Sequence, residues 1–427
     1  MTITLVLVLF FVLLVIGVPV AFVIIGAAGV GIVSSGTNPM ILMQQLFQGM
    51  NSFTYLSIPF FIMSGDIAAQ GLTSSRIIDL LNAFLGRLKG GLGIATVVAC
   101  VFFGAITGSA IACVIAIGAF MMPKLLESGY PRSLVIGIIT AAGTLGIMIP
   151  PSVPMLTYSL AMNVSAGDMF TAGFLPGFLL AALFCLYVYV VAVRKKIPCT
   201  QTEKLTLRQK LQVVKKSVWA LLFPVIILGS IYGGLATPTE AAVISLFYVV
   251  AVELLVYKKI KIKDIFGILS KSLISSATLT MTIATAQVFV WYLTTSQVTT
   301  QVYNAMTTAF TSPLSLMLAM ALLFLVAGCF TNVMTVCVIL GPIIKPVLAF
   351  FGINLVHFGI CTILMSQLGF LTPPFGFCLF VAMKVAKASM GEVARAVMPF
   401  LGLMLLCEVL LILFPQISLL LPNLVMG

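Results

Sequence analysis

Gly143-Thr144-Leu145-Gly146-Ile147-Met148-Ile149-Pro150-Pro151 decides the reading of this chain, because its punctuation returns 223 residues later in Leu368-Gly369-Phe370-Leu371-Thr372-Pro373-Pro374. Gly146 falls on Gly369 and Pro150-Pro151 on Pro373-Pro374. The same ungapped shift carries Gly118 onto Gly341, Pro123 onto Pro346 and Pro176 onto Pro399. Glycine and proline set backbone geometry, so their recurrence predicts a repeated backbone path. A Pro-Pro pair cannot continue a helix, and it leaves backbone carbonyls without their usual donors.

The chain around these breaks is built for lipid. It is 61% hydrophobic and 7% charged, with mean hydropathy +1.24, whereas a soluble domain carries about a quarter charged residues. Apolar runs such as 2–33, 92–122, 170–193 and 397–414 are long enough to span a bilayer as helices. They do not alternate, which excludes a barrel. The first run has no basic leader and reads as mature structure. The nine cysteines form no Cys-x-x-Cys pair, so neither a metal site nor a disulfide frame is indicated. The net charge of +12 is carried by loops and reports topology, not nucleic-acid binding.

Placing the basic loops at 87–89, 124–132, 194–216, 258–271 and 384–395 in the cytoplasm puts 20 of the 22 Lys and Arg inside; Arg76 and Lys345 are left. Shifted by 223, or by the similar 219 that takes Pro19 to Pro238, the loops at 87–89, 258–271 and 384–395 fall on segments without basic residues. That charge pattern predicts two oppositely oriented halves. Residues 1–193 form the first repeat and 218–427 the second. Residues 194–217 form a cytoplasmic connector suited to a helix on the membrane surface. Each half reads as two helices, a third, a re-entrant hairpin, a broken crossing and a final helix. The hairpins cover 92–122 and 314–345. The expected fold is an all-α membrane protein with about ten crossings and two hairpins.

The hairpin tips are Thr107-Gly108-Ser109 and Thr331-Asn332. They supply hydroxyl, amide and carbonyl oxygens and helix N-termini, but no charged side chain. Helix N-termini attract anions. Bare carbonyls lining a polar cavity suit a hard cation such as sodium. Ser109, Gly108, Gly146, Pro150, Thr331, Asn332, Gly369, Thr372 and Pro373 are the expected sodium ligands. Ser109, Thr107, Asn332, Thr331 and Thr157 are the expected substrate contacts. Glu240 follows Thr237-Pro238-Thr239 and reads as a helix cap. Arg76 and Asp79 are spaced to pair on one helix. With Asp66 they read as interfacial or facing another subunit. Glu408 lies within the last apolar helix without an evident partner. No nucleophile–base pair or phosphate-binding loop is present, so the chain does not read as an enzyme.

These motifs resemble the large membrane subunit of TRAP (tripartite ATP-independent periplasmic) transporters. The resemblance rests on FFGAITGSA (Phe102–Ala110), GTLGIMIPPSVPMLTY (Gly143–Tyr158), Ala172–Gly177, TPTEAA (Thr237–Ala242) and GFLTPPFG (Gly369–Gly376), and runs over nearly the whole chain. It stands nearest to members serving sialic acid. The resemblance implies an elevator-type secondary transporter in the bacterial inner membrane, in contact with lipid. It implies sodium-coupled uptake of a small organic acid, a periplasmic substrate-binding protein and a separate small four-helix membrane subunit. A stand-alone sodium–carboxylate symporter and a channel are the alternatives, and two isolated polar tips among apolar helices argue against a channel.

Overall fold

The computed structural model describes residues 2–199, 206–373 and 376–425, and among these every regular element is helical. The first half contains α1 (Thr2–Val15), α2 (Val20–Ser34), α3 (Met40–Met50), α4 (Ser57–Gln70) and α5 (Thr73–Leu85). Then come α6 (Gly91–Thr107), α7 (Ala110–Glu127), α8 (Arg132–Gly143), α9 (Leu145–Met148), α10 (Val153–Met162) and α11 (Ala166–Arg194). The second half contains α12 (Leu207–Tyr232), α13 (Pro238–Ala251), α14 (Ile262–Thr295) and α15 (Val298–Ala309). It ends with α16 (Pro313–Phe330), α17 (Val333–Phe350), α18 (Leu355–Gly369), α19 (Phe377–Ala386), α20 (Met390–Leu413) and α21 (Gln416–Val425). Eight helices are long and apolar enough to cross a membrane, or nine if the bent pair α8–α9 and α10 is one span.

Helix ends follow their capping residues, and several caps recur near the 223 offset. Ser109 and Asn332 cap α7 and α17, accepting from Ala112 N at 3.4 Å and Thr335 N at 2.8 Å. Ser165 and Ser389 cap α11 and α20, accepting from Asp168 N and Glu392 N. Helices α10 and α19 both end on a left-handed residue, Asn163 and Lys387. Both also hand a terminal carbonyl to a distant base: Lys345 Nζ donates to Met162 O at 2.6 Å, and Arg132 Nη2 to Ala386 O at 2.9 Å. Thr237 and Glu240 form the expected box, with Thr237 N donating to Glu240 Oε2 at 2.8 Å.

Several expectations change in detail. The third helix expected in the first half is divided, over residues 53–85, into a short turn at Phe53–Leu56, α4 and α5. The connector does not form a separate surface helix in the described residues; from Leu207 it is the start of α12. Arg76 does not pair with Asp79. Its guanidinium lies over the Tyr257 ring, 5.9 Å from the centroid, and its carbonyl accepts from Ser217 Oγ. Arg76 thus sits at the basic-loop end, which leaves Lys345 as the outlier in the charge count; its role in capping α10 accounts for it.

The fold also contains a cap that spans the sequence. Helix α5 begins at Leu72-Thr73 with no side-chain cap of its own. The carboxylate of Glu253 supplies one from 180 residues away, accepting from Leu72 N and Thr73 N at 3.0 Å and from Thr73 Oγ1 at 2.6 Å. Glu253 is fully buried, and a carboxylate at a helix N-terminus satisfies both the orphan N–H groups and the dipole. A Cβ on Gly71 would overlap that carboxylate, so a side chain there would displace the cap.

Candidate functional site

Both tips converge on one cavity of about 670 Å³. Thr107, Gly108 and Ser109 line it from the first hairpin, Thr331 and Asn332 from the second. The αL conformation of Gly108 (φ 58°) turns the chain between α6 and α7, and the extended Ser109 and Asn332 start the return helices. The first residues of four helices face this space: Ala110 of α7, Val153 and Pro154 of α10, Val333 of α17 and Phe377 of α19. These four N-termini offer N–H groups to the cavity without a basic side chain, and the last residues of α6 and α16, Thr107 and Phe330, bring helix C-termini to the same lining. The one charged residue in the lining is Asp66 of α4, on the opposite wall, where Ser272 Oγ donates to its Oδ2 at 2.6 Å.

The breaks sit behind the tips. Gly104 lies so close to Gly146 that a Cβ on the first would overlap the Cα of the second. A Cβ on Gly146 would be 3.4 Å from Ser109 O. Gly108 packs on Pro151, whose carbonyl would lie 3.0 Å from an added Cβ. The second half repeats the arrangement: a Cβ on Gly369 would overlap Leu325 O and stand 2.8 Å from Cys329 N, at the end of α16. In the first break the carbonyls of Ile149, Pro150 and Pro151 accept no hydrogen bond among the described residues. In the second, Thr372 Oγ1 donates to Leu368 O at 2.8 Å, and Pro373 is exposed. Pro374 lies outside the described residues.

The expected residues therefore divide into two groups. Thr107, Gly108, Ser109, Thr331 and Asn332 meet in the cavity. Gly146, Pro150, Gly369, Thr372 and Pro373 do not line it; Gly146 and Gly369 form the second layer against which the tips pack. Thr157 is away from the cavity, buried in α10 with its hydroxyl donating to Val153 O at 2.8 Å. Sequence reasoning missed Asp66 as a cavity residue. An acid inside an apolar helix was the available signal; which face α4 presents was not.

A second, more polar space of about 950 Å³ lies along Gln48, Ser52, Asn163, Ser165, Thr237 and Gln287. Helix α14 fixes their relative depth. Starting from the basic loop at Lys261, it lines the first cavity between Ile274 and Leu279 and the second at Gln287, about 12–20 Å further along the axis. The first cavity is thus nearer the basic-loop end.

Residues 7–417 match the family model described as "Tripartite ATP-independent periplasmic transporter, DctM component". The chain belongs to the TRAP transporter large permease family. The permease is 38% identical to the C4-dicarboxylate TRAP transporter large permease protein DctM of Pseudomonas aeruginosa, over 89% of this chain and 88% of that one. It is 33% identical to the ectoine TRAP transporter large permease protein TeaC of Halomonas elongata, over 90% and 89%. With the isethionate TRAP transporter permease protein DctMQ of Oleidesulfovibrio alaskensis it shares 35% identity, over 92% of this chain and 62% of that longer protein. In fold the permease resembles the YdaH transporter of Alcanivorax borkumensis, with TM-score 0.67 and 15% identity over 88% of both chains. Family and spans together place it in the bacterial inner membrane as a multi-pass protein.

Proposed function

We propose that the permease carries a small organic anion inward, coupled to sodium, by an elevator movement. The observation that carries this reading is the convergence of both tips and four helix N-termini on one cavity without a basic side chain. An anion is held there by dipoles and hydroxyls. Sodium is held behind the tips by neutral oxygens around Ser109, Gly146 and Pro150 in one half, and around Thr331, Asn332, Gly369 and Thr372 in the other. Neither tip carries a charged side chain, so the loaded unit takes no fixed charge of its own across, and Asp66, the one acid in the lining, stays behind on α4. Unloaded, the unit exposes unpaired polar groups to an apolar frame, which is costly and enforces coupling.

The moving unit in this reading is α6–α10 with α16–α19, and the frame is α1–α5 with α12–α14. The two spaces, displaced along α14, suit access from opposite sides, with this conformation facing the basic-loop side. Substrate arrives on a periplasmic binding protein, and a separate small membrane subunit completes the frame. Sialic acid is the first candidate, on the motifs quoted above. The relatives named for C4-dicarboxylates and ectoine set the comparison substrates.

Reconstitution in liposomes with the small subunit tests the reading. Uptake is expected with an inward sodium gradient and a cognate binding protein, and for one substrate class among sialic acid, C4-dicarboxylate and ectoine. Uptake that persists without sodium refutes the coupling. Full uptake without the binding protein points to the stand-alone symporter.

A further inference from the structure

Asp66 is the one charged residue in the lining of the first cavity. Ser272 of α14, fully buried behind it, donates to its Oδ2 at 2.6 Å, the length of a hydroxyl-to-carboxylate bond. The other acceptor within reach of that hydroxyl, Ile268 O, is further away at 3.0 Å. No base neutralises the carboxylate: the one salt bridge among the described residues, Arg132–Glu392, is elsewhere, and the lining contains no Lys or Arg. An uncompensated negative charge therefore shares the cavity with both tips.

The second space has no such group. Side chains such as Gln48, Ser52, Asn163 and Gln287 give it amides and hydroxyls, and no charged side chain lines it. Helix α4 packs on α13 and α14 of the frame and meets α6 at the boundary with the moving unit. Asp66 thus belongs to the frame and does not travel with the tips. In the elevator reading, on which this inference rests, the same tips share a cavity with a carboxylate when they open to the basic-loop side. They share none with a charged group when they open to the other side.

We propose that Asp66 is the release residue of the inward-facing site: its carboxylate repels the organic anion held at the tips and so weakens binding on that side alone. Across a space of about 670 Å³, roughly 10 Å wide, two like charges in an effective dielectric constant of about 20–80 repel enough to change affinity by roughly two- to fifteenfold. The sodium and substrate gradients still set the direction of net transport. The fixed carboxylate acts on how readily the anion leaves once the cavity has opened inward.

Binding to the permease held in this conformation tests the proposal. In a cysteine-free background, T282C and V338C joined by a thiol cross-linker fix α14 against α17 where the two helices meet. Binding of N-acetylneuraminate, with one negative charge, and of succinate, with two, is measured at fixed sodium with and without D66N. D66N is expected to tighten binding of the anion that the linked protein takes by about three- to tenfold (~0.7–1.4 kcal/mol). Added choline chloride should shrink the difference, and where both anions bind, succinate should gain more. D66S takes the place of D66N if that variant does not fold. Equal binding without the charge overturns the proposal; weaker binding also overturns it and makes Asp66 a substrate contact. Tightening that ignores ionic strength overturns it as well. If neither anion binds the linked parent protein, the anion-transport reading itself fails and the proposal falls with it.

Discussion

Gln367 Nε2 donates a 2.6 Å hydrogen bond to Thr144 Oγ1, and the two residues are 223 apart, the offset that sets Pro150 on Pro373. Residues related by a two-fold rotation touch each other at the axis, so this contact is the one expected where two repeats meet, here between the α8–α9 junction and α18. Thr144 Oγ1 also donates to Ala141 O at 2.7 Å, so its lone pair is what Gln367 uses. Thr144→Val strands a buried amide and should lower stability by about 1–3 kcal/mol. The double variant T144V/Q367M should recover much of that loss. Thermal unfolding in detergent reads both.

Ser109 and Asn332 cap the return helices of the two tips. Asn332 Oδ1 accepts from Thr335 N at 2.8 Å and Thr335 Oγ1 at 2.9 Å. Asn332→Ala should therefore cost about 1 kcal/mol of stability through the lost cap, and Asn332→Asp should retain it. Ser109→Ala and Asn332→Ala should each raise the sodium concentration for half-maximal uptake by about tenfold, the equivalent of ~1.4 kcal/mol. An unchanged sodium dependence in both variants removes the tips from the ion sites.

The contact between Gly104 and Gly146 leaves no room for a methyl group. Gly104→Ala should push the first tip off the broken crossing, at a cost of about 1–3 kcal/mol. Its effect on uptake should exceed its effect on folding, because the displaced groups face the cavity. Uptake and melting temperature measured on the same preparation separate the two.

Helices α14 and α17 meet at Thr282, Thr335 and Val338, across the boundary assigned between frame and moving unit. In a cysteine-free background, a thiol cross-linker joining T282C to V338C should arrest uptake, and cleavage of the linker should restore it. Full uptake with the link intact is incompatible with an elevator.

Orientation is tested by labelling. Cysteines placed at Lys196 and Ser312, on a basic loop and on an uncharged turn, should react with an impermeant reagent from opposite sides of the membrane. Reaction from one side contradicts the topology drawn from the charges.

What the sequence determined by itself was local. Pro-Pro pairs end helices wherever they stand, Ser109, Asn332 and Thr237 cap them, and apolar length requires lipid; each follows from a few adjacent residues. For that reason the tips, the breaks and the family were legible before any coordinate. What the tertiary structure decided depends on which helix faces which. It placed Asp66 on the cavity wall with Ser272, directed Arg76 to Tyr257 rather than Asp79, kept Thr157 away from the cavity, and set Glu253 on the start of α5. In a chain this apolar, hydrophobic periodicity does not mark a buried face, because lipid and core accept the same side chains. Only packing between distant helices selects the partner of each rare polar group, and those groups compose the site.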